Sequence, residues 1–262
     1  LADKNNGLLS SRCKKLDKII NGGLRSKKIS QIYGKNKTGK SLACLLFTYQ
    51  CLRGGNECVY ITSGSFPTQR FTQITGRNTD FSTEELVSNL LISETREFNE
   101  QKRAIDDAAK IISNEKRDVG LLVIDSITSF YRSEMDAEKS IELKREMAKK
   151  LAVILGLSRR GDIPVLMTNE VYKDFDTGKE KLIGGRMLKD ISHKMIEFKE
   201  IGSIQSKKYT RSGDSVKKAK DAKYRNEENR IKSTVHEMKK IRVVCGENSS
   251  DFLIKRDGFV EV

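Results

Sequence analysis

No run of 18 apolar residues occurs in this 262-residue chain, and a membrane-spanning helix needs about that many. No basic, then apolar, leader with a small-residue cleavage site opens it. The chain therefore reads as a protein of the reducing cytoplasm with no membrane partner. Tryptophan is absent and proline occurs twice. The five cysteines, Cys13, Cys44, Cys51, Cys58 and Cys245, form no C-x-x-C pair, which argues against zinc and thiol-redox chemistry. Cys44 and Cys51, seven apart, share one face of a helix and read as core. His193 and His236 are the only histidines and lie far apart, so a histidine metal site or a nucleophile triad is not expected.

What the chain has in excess is positive charge. Lys and Arg number 50 against 36 Asp and Glu, a net +14. That balance favours an anionic partner, and nucleic acid fits it best. A generally lysine-rich surface is the alternative source of the same charge. The excess is local: residues 203–232 hold ten Lys/Arg and four Asp/Glu, about +6 of the total.

One stretch carries specific chemistry: Gly34-Lys35-Asn36-Lys37-Thr38-Gly39-Lys40-Ser41. It is a complete G-x-x-x-x-G-K-[ST] phosphate loop. An apolar, β-rich run precedes it at 29–33, and a run with helical spacing follows at 42–52, closed by Gly54-Gly55. Strand, glycine loop and helix form the context that the motif requires. Glycines let the backbone wrap an anion, and successive N–H groups and the helix N-terminus then face the phosphates. Lys40 would reach the β/γ-phosphates and the Ser41 hydroxyl would hold Mg²⁺. Leu42 would complete the loop's contacts with the nucleotide.

The remaining pattern alternates strands with helices. It predicts a short helix over 16–21 with a turn at Gly22-Gly23, and strands over 28–33, 58–61, 119–125, 163–168 and 194–199. Helices are predicted over 67–75, 101–114 and 137–159, and a hairpin over 241–245 and 251–255. Residues 173–181 read as a mobile loop, and 78–99 are too polar to assign. The fold class expected is α/β: a P-loop core with a doubly wound, mainly parallel sheet and a C-terminal β-hairpin. The expected organisation is a core over 1–200, a basic insert over 201–235 that is either disordered and extended or helical, and a hairpin over 236–262 belonging to the core. Asp125 ends the continuous apolar strand Val119-Gly120-Leu121-Leu122-Val123-Ile124-Asp125, where a P-loop nucleotide hydrolase keeps the carboxylate of its Mg²⁺ shell.

At this point the chain resembles the RecA/RadA recombinase family, in its archaeal, RadB-like branch. The resemblance rests on Leu16-Asp17 through Gly23, residues 29–41, Leu121 through Thr128, Tyr131-Arg132 and Pro164 through Val171. The segments 171–178 and Gly184-Gly185-Arg186-Met187-Leu188 sharpen it. It covers about residues 8–200 and, more loosely, the tail hairpin. It implies a RecA-like fold, binding of ATP with Mg²⁺, and DNA, preferably single-stranded, as a partner. It also implies a RadA-type recombinase as a protein partner. Arg70 matches the position that packs on adenine. DNA contacts are implied for Tyr131 and Arg132 after Asp125, and for Lys173, Lys179, Lys181 and Arg186 around the second loop. The Phe-x-x-Ala segment by which family filaments join is not seen, so a monomer or dimer is expected in place of a filament.

Two departures bear on activity. Ser63, in Thr62-Ser63-Gly64, stands where the family's catalytic glutamate is expected. A serine does not orient an attacking water as a carboxylate does, and a lost base costs about 10²–10⁴-fold in rate. Glu170 stands where a phosphate-sensing glutamine is expected. It would either repel a bound triphosphate or, as the less favoured alternative, replace the missing catalytic carboxylate beside Lys40. The function expected is therefore an ATP- and DNA-binding accessory of recombination and repair with weak ATPase. The alternatives are an active DNA-dependent ATPase/recombinase, a non-catalytic partner-binding scaffold and a KaiC-like regulatory ATPase. The segment 173–188 argues against the last.

Overall fold

The computed structural model describes residues 7–76, 81–133, 140–174, 177–210, 232–255 and 258–262. A two-residue strand β1 (Leu8–Leu9), helix α1 (Lys14–Ile19) and strand β2 (Leu24–Arg25) lead into β3 (Ile29–Gly34). Then follow α2 (Lys40–Arg53), β4 (Glu57–Thr62), α3 (Thr68–Thr75), α4 (Thr83–Ser88), β5 (Leu90–Glu94) and α5 (Phe98–Ile112). The chain continues through β6 (Val119–Asp125), α6 (Ser129–Ser133), α7 (Ser140–Arg160), β7 (Val165–Lys173), β8 (Glu180–Leu182) and α8 (Gly185–Ile191). It closes with β9 (Lys194–Thr210), β10 (Lys232–Cys245), β11 (Asn248–Lys255) and β12 (Gly258–Glu261).

The main sheet has the order β12-β11-β10-β9-β3-β7-β6-β4-β5, with β8 attached to β7. The run from β9 to β5 is parallel, and β10, β11 and β12 extend it antiparallel. The alternation of side chains along a strand divides the core in two. Cys58 and Tyr60 of β4, with Leu121 and Val123 of β6, face the core under α2. Val59, Ile61, Leu122 and Ile124 face the core under α5, α7 and α8. Strands buried on both faces read as unbroken apolar runs, which is why β6 was legible as VGLLVID. Cys44 and Cys51 are fully buried in α2, as their spacing suggested.

Three expectations change in detail. Residues 173–181 were expected as a mobile loop. Val171 pairs with Leu182, Tyr172 with Lys181 and Lys173 with Glu180, so a β-hairpin is built there. The expected insert, 201–235, begins and ends as strand: β9 pairs with β10 out to Thr210 opposite Lys232. The rest of that insert, 211–231, lies outside the described residues. Within the unassigned stretch 78–99, Ser82 and Glu85 close a reciprocal capping box that starts α4, and β5 becomes the edge of the parallel sheet.

Candidate nucleotide site

The phosphate loop leaves β3 at the carboxyl edge of the sheet, where ligands of open α/β folds bind. Gly34 lies in register with Glu170 of β7 on one side and Phe198 of β9 on the other. A Cβ on Gly34 would stand 2.1 Å from the Phe198 carbonyl oxygen, so the strand can leave the sheet here only as glycine. Lys35, Asn36 and Lys37 are exposed at the loop's tip. Thr38 is buried and donates to the Lys35 carbonyl at 2.8 Å. Gly39 caps α2 in the left-handed region, φ 93°, which costs glycine little. A side chain there would also press on Phe259 and Ile254.

Lys40 is buried, and its Nζ donates to the carbonyls of Gly34 at 2.9 Å and Lys35 at 2.8 Å. Burial pulls this ammonium below the ordinary lysine range, and the charges of Glu170 and then Asp125 pull it back. Both carboxylates therefore act on the same cation. Ser41 is exposed on the first turn of α2, while the Leu42 side chain is buried in the core. The Asp125 carboxylate at the end of β6 is fixed from both flanking strands. Thr168 Oγ1 of β7 donates to Oδ1 at 2.5 Å, and Tyr60 OH of β4 donates to Oδ2 at 3.1 Å. Burial, then the Asp125 charge, raises the Tyr60 phenol well above its usual range, so it stays protonated and keeps donating.

Ser63 follows β4 and belongs to a cluster of hydroxyls. Its Oγ donates to Ser129 Oγ at 2.7 Å and accepts from the Ser126 amide at 3.0 Å. The Ser126 and Ser129 hydroxyls are 2.8 Å apart. Behind them Gln101 Nε2 donates to the Ser126 carbonyl at 3.0 Å, and buried Lys150 donates to the Phe98 carbonyl at 2.9 Å. The Ser63 hydroxyl is thus committed to its neighbours. Among the described residues no group of three His, Cys, Asp or Glu side chains forms a metal site. Ser41 and Asp125 are the chain's fit for Mg²⁺: a hydroxyl and a carboxylate, the hard oxygen donors that ion takes when phosphates supply the rest.

Arg70 is half-buried on α3, and its Nη1 donates to the Lys255 carbonyl at 2.8 Å. This bond brings the end of β11 to the site, and Ile254 and Phe259 approach Gly39 from the same hairpin. Sequence reasoning missed these residues, because it is the antiparallel extension of the sheet that carries Ile254, Lys255 and Phe259 back towards Gly39 and Arg70.

The expected nucleic-acid contacts separate. Tyr131 is 3% exposed and packs in the apolar core with residues of α5 and α7. Its buried ring offers no open face to a base, against the DNA contact that the resemblance implies for it. Arg132 lies in α6, and its side chain is outside the described residues. Lys173, Lys179 and Lys181 come together on the β7–β8 hairpin, all exposed, and Arg186 is exposed in the first turn of α8. Lys181 is engaged by Asp174 at 2.6 Å. The hairpin is joined to the phosphate side by a polar chain. Thr128 Oγ1 donates to Asn169 Oδ1 at 2.7 Å, Asn169 Nδ2 to the Ile183 carbonyl at 3.0 Å, and the Ile183 amide to the Glu170 carbonyl at 3.1 Å. Glu180, absent from the sequence reading, pairs with Lys35 of the phosphate loop at 2.6 Å.

The sequence was compared with known proteins. The Rad51 family model matches residues 6–231. The DNA repair and recombination protein RadB of Methanoculleus marisnigri is 37% identical over 189 residues, covering 72% of this chain and 82% of the relative. That of Archaeoglobus fulgidus is 32% identical over 199 residues, 76% and 86% of the two chains. That of Methanosphaera stadtmanae is 31% identical over 227 residues, 83% and 95%. The chain belongs to the Rad51 family, in its archaeal RadB-like branch.

Proposed function

We propose that this protein binds ATP·Mg²⁺ and single-stranded DNA and serves recombination and repair as an accessory to a RadA-type recombinase, hydrolysing ATP slowly. The observation that carries this reading is an asymmetry within one site. Lys40 and Asp125 are held by hydrogen bonds and Ser41 is exposed on the first turn of α2, whereas Ser63, where the family resemblance implies a water-activating carboxylate, is bonded to Ser126 and Ser129. The α2 N-terminus and loop amides would cradle the phosphates, Lys40 would exchange its loop carbonyls for β/γ-oxygens, and Ser41 and Asp125 would hold Mg²⁺. Arg70, with the β11–β12 hairpin, would flank the base. Mg²⁺ would neutralise charge on the phosphates.

ATP then acts as a ligand that shifts populations of the hairpin. The exposed lysines of that hairpin neutralise backbone phosphates without reading sequence. Relatives named as DNA repair and recombination proteins support the cellular role. The test is to measure ATP affinity, ATP turnover and single-strand affinity together, with and without a RadA-type recombinase. The reading predicts saturable MgATP binding that Lys40→Ala abolishes, with DNA raising turnover by less than about tenfold. Turnover stimulated about 10³-fold by DNA would restore the recombinase alternative. Recombinase binding without any DNA affinity would favour the scaffold.

A further inference from the structure

Lys150, midway along α7, is an ammonium enclosed by the core and only 2% exposed. Its Nζ donates to the Phe98 carbonyl at 2.9 Å and to Gln101 Oε1 at 3.5 Å, and it stands 3.1 Å from the centroid of the Phe98 ring. Burying a charge is costly, and packing alone is served better by an apolar side chain. The ammonium dictates how Gln101 lies. It can only donate, so the carboxamide oxygen must face Lys150 and the NH₂ must face away from it. There Nε2 donates to the Ser126 carbonyl at 3.0 Å. Ser126 directly follows Asp125, and the backbone of this turn is tied to the sheet as well. The Ser63 amide donates to the Asp125 carbonyl at 2.8 Å, the Ser126 amide to Ser63 Oγ at 3.0 Å and the Ile127 amide to the Thr168 carbonyl at 3.2 Å. The Gln101 bond ties the same turn to the helical layer.

We propose that Gln101, oriented by Lys150, is a positioning residue for Asp125: the pair holds the turn after β6 so that the carboxylate meets Mg²⁺ in one orientation. The inference rests on the reading above, in which Asp125 helps to hold the Mg²⁺ of bound ATP. Gln101 and Lys150 act through the Ser126 peptide and not by contact with the ion. Groups bonded directly to a metal ligand typically carry about 10–100-fold in metal affinity. Gln101 acts one step further back, through the backbone, so its share is smaller, about three- to tenfold.

The experiment measures how much Mg²⁺ tightens nucleotide binding. Dissociation constants of a fluorescent, non-hydrolysable ATP analogue are taken with excess EDTA and with saturating Mg²⁺, and the readout is their ratio. The proteins are wild type, Gln101→Glu and Lys150→Met. Gln101→Glu keeps the side chain's shape, gives Lys150 a carboxylate partner and puts an acceptor where Ser126 needs a donor. Its added negative charge alone would attract Mg²⁺ and raise the ratio, whereas loss of position lowers it. The ratio should fall about three- to tenfold in Gln101→Glu, with the metal-free constant unchanged and the melting temperature at or above that of wild type. Lys150→Met, which removes the group that orients the carboxamide, should shift the ratio in the same direction. An unchanged or raised ratio in Gln101→Glu overturns the proposal. So does an equal weakening of both constants with a lowered melting temperature, which marks packing alone. If wild type does not bind the analogue, or binds it equally with and without Mg²⁺, the functional reading beneath falls and the positioning role falls with it. The two wild-type constants by themselves tell that case apart.

Discussion

Glu170 is the residue at which the site's electrostatics turn. It lies beside Gly34 across the β3–β7 register, and its charge acts on Lys40 ahead of that of Asp125. A carboxylate so placed supports the ammonium but would oppose the phosphates that Lys40 meets in the proposed function. Replacing it with the neutral isostere removes one like charge from the γ-phosphate's surroundings. Glu170→Gln should therefore tighten ATP binding about tenfold, the equivalent of ~1.4 kcal/mol, and tighten ADP binding much less. Titration with both nucleotides checks it. Equal affinity gains would place the repulsion away from the γ-phosphate, and loss of residual turnover with no gain in affinity would show that Glu170 serves as the missing base. Ser63 makes the complementary case. Its hydroxyl spans Ser126 and Ser129, so Ser63→Glu alone must displace that cluster before its carboxylate can orient water. We expect it to raise turnover less than the 10²–10⁴-fold that a positioned base contributes, and Ser63→Glu combined with Ser129→Ala to raise it further. Single-turnover rates decide between them.

The hairpin shows what a sequence pattern conceals at the scale of an element. Residues 173–181 are polar and contain Gly178, so they read as a loop; the strand pairing comes from Val171 and Leu182, which flank the stretch. The tip is closed by Asp174, whose carboxylate accepts from the Thr177 amide at 2.9 Å, the Thr177 hydroxyl at 2.7 Å and Lys181 at 2.6 Å. Lys181 foremost, then Thr177, hold this carboxyl far below the usual range. A depressed carboxyl contributes above its unfolded value, near ~3.9, and loses that contribution only as pH falls through the lower folded one. At neutral pH the tie is intact and Lys181 is occupied. Asp174→Asn should free Lys181, raise single-strand affinity a few-fold and steepen the salt slope by about 0.7. A salt series against oligo-dT measures both, and an unchanged slope would place Lys181 off the DNA path. By contrast β6, α2 and the phosphate loop were legible, since an unbroken apolar run and a spaced glycine-lysine motif each follow from one local rule. The Ser82–Glu85 box was present in the letters too, but six residues of helix carry too little periodicity to confirm it.

For the whole molecule, the registers place three features on one edge. β3 stops at Gly34, while its neighbours run on: β7 past Glu170 to Lys173, and β9 past Phe198 to Thr210. The phosphate loop thus lies between the bases of two antiparallel ribbons, β7–β8 and β9–β10. No local pattern announces this, because it depends on β9 and β7 both lying next to β3. The basic excess falls in the part of the sequence around the second ribbon: residues 203–232 hold ten Lys/Arg against four Asp/Glu. Of these, residues 211–231 contribute seven Lys/Arg and four Asp/Glu. Thr210 pairs with Lys232, so the two ends of that segment stand opposite each other and a two-residue turn such as Asn-Gly can join them. Replacing 211–231 by Asn-Gly should leave the sheet and MgATP affinity intact, because the parallel core lies at the other end of the ribbon. If the segment neutralises DNA phosphates, each lost contact lowers the slope of log K against log salt by about 0.7 for single strands. With three to seven contacts removed, the slope should fall by about 2–5, and affinity at low salt should fall with it. A variant that melts as wild type and keeps the wild-type slope would assign DNA binding to the β7–β8 hairpin alone and leave the basic excess as solvated surface.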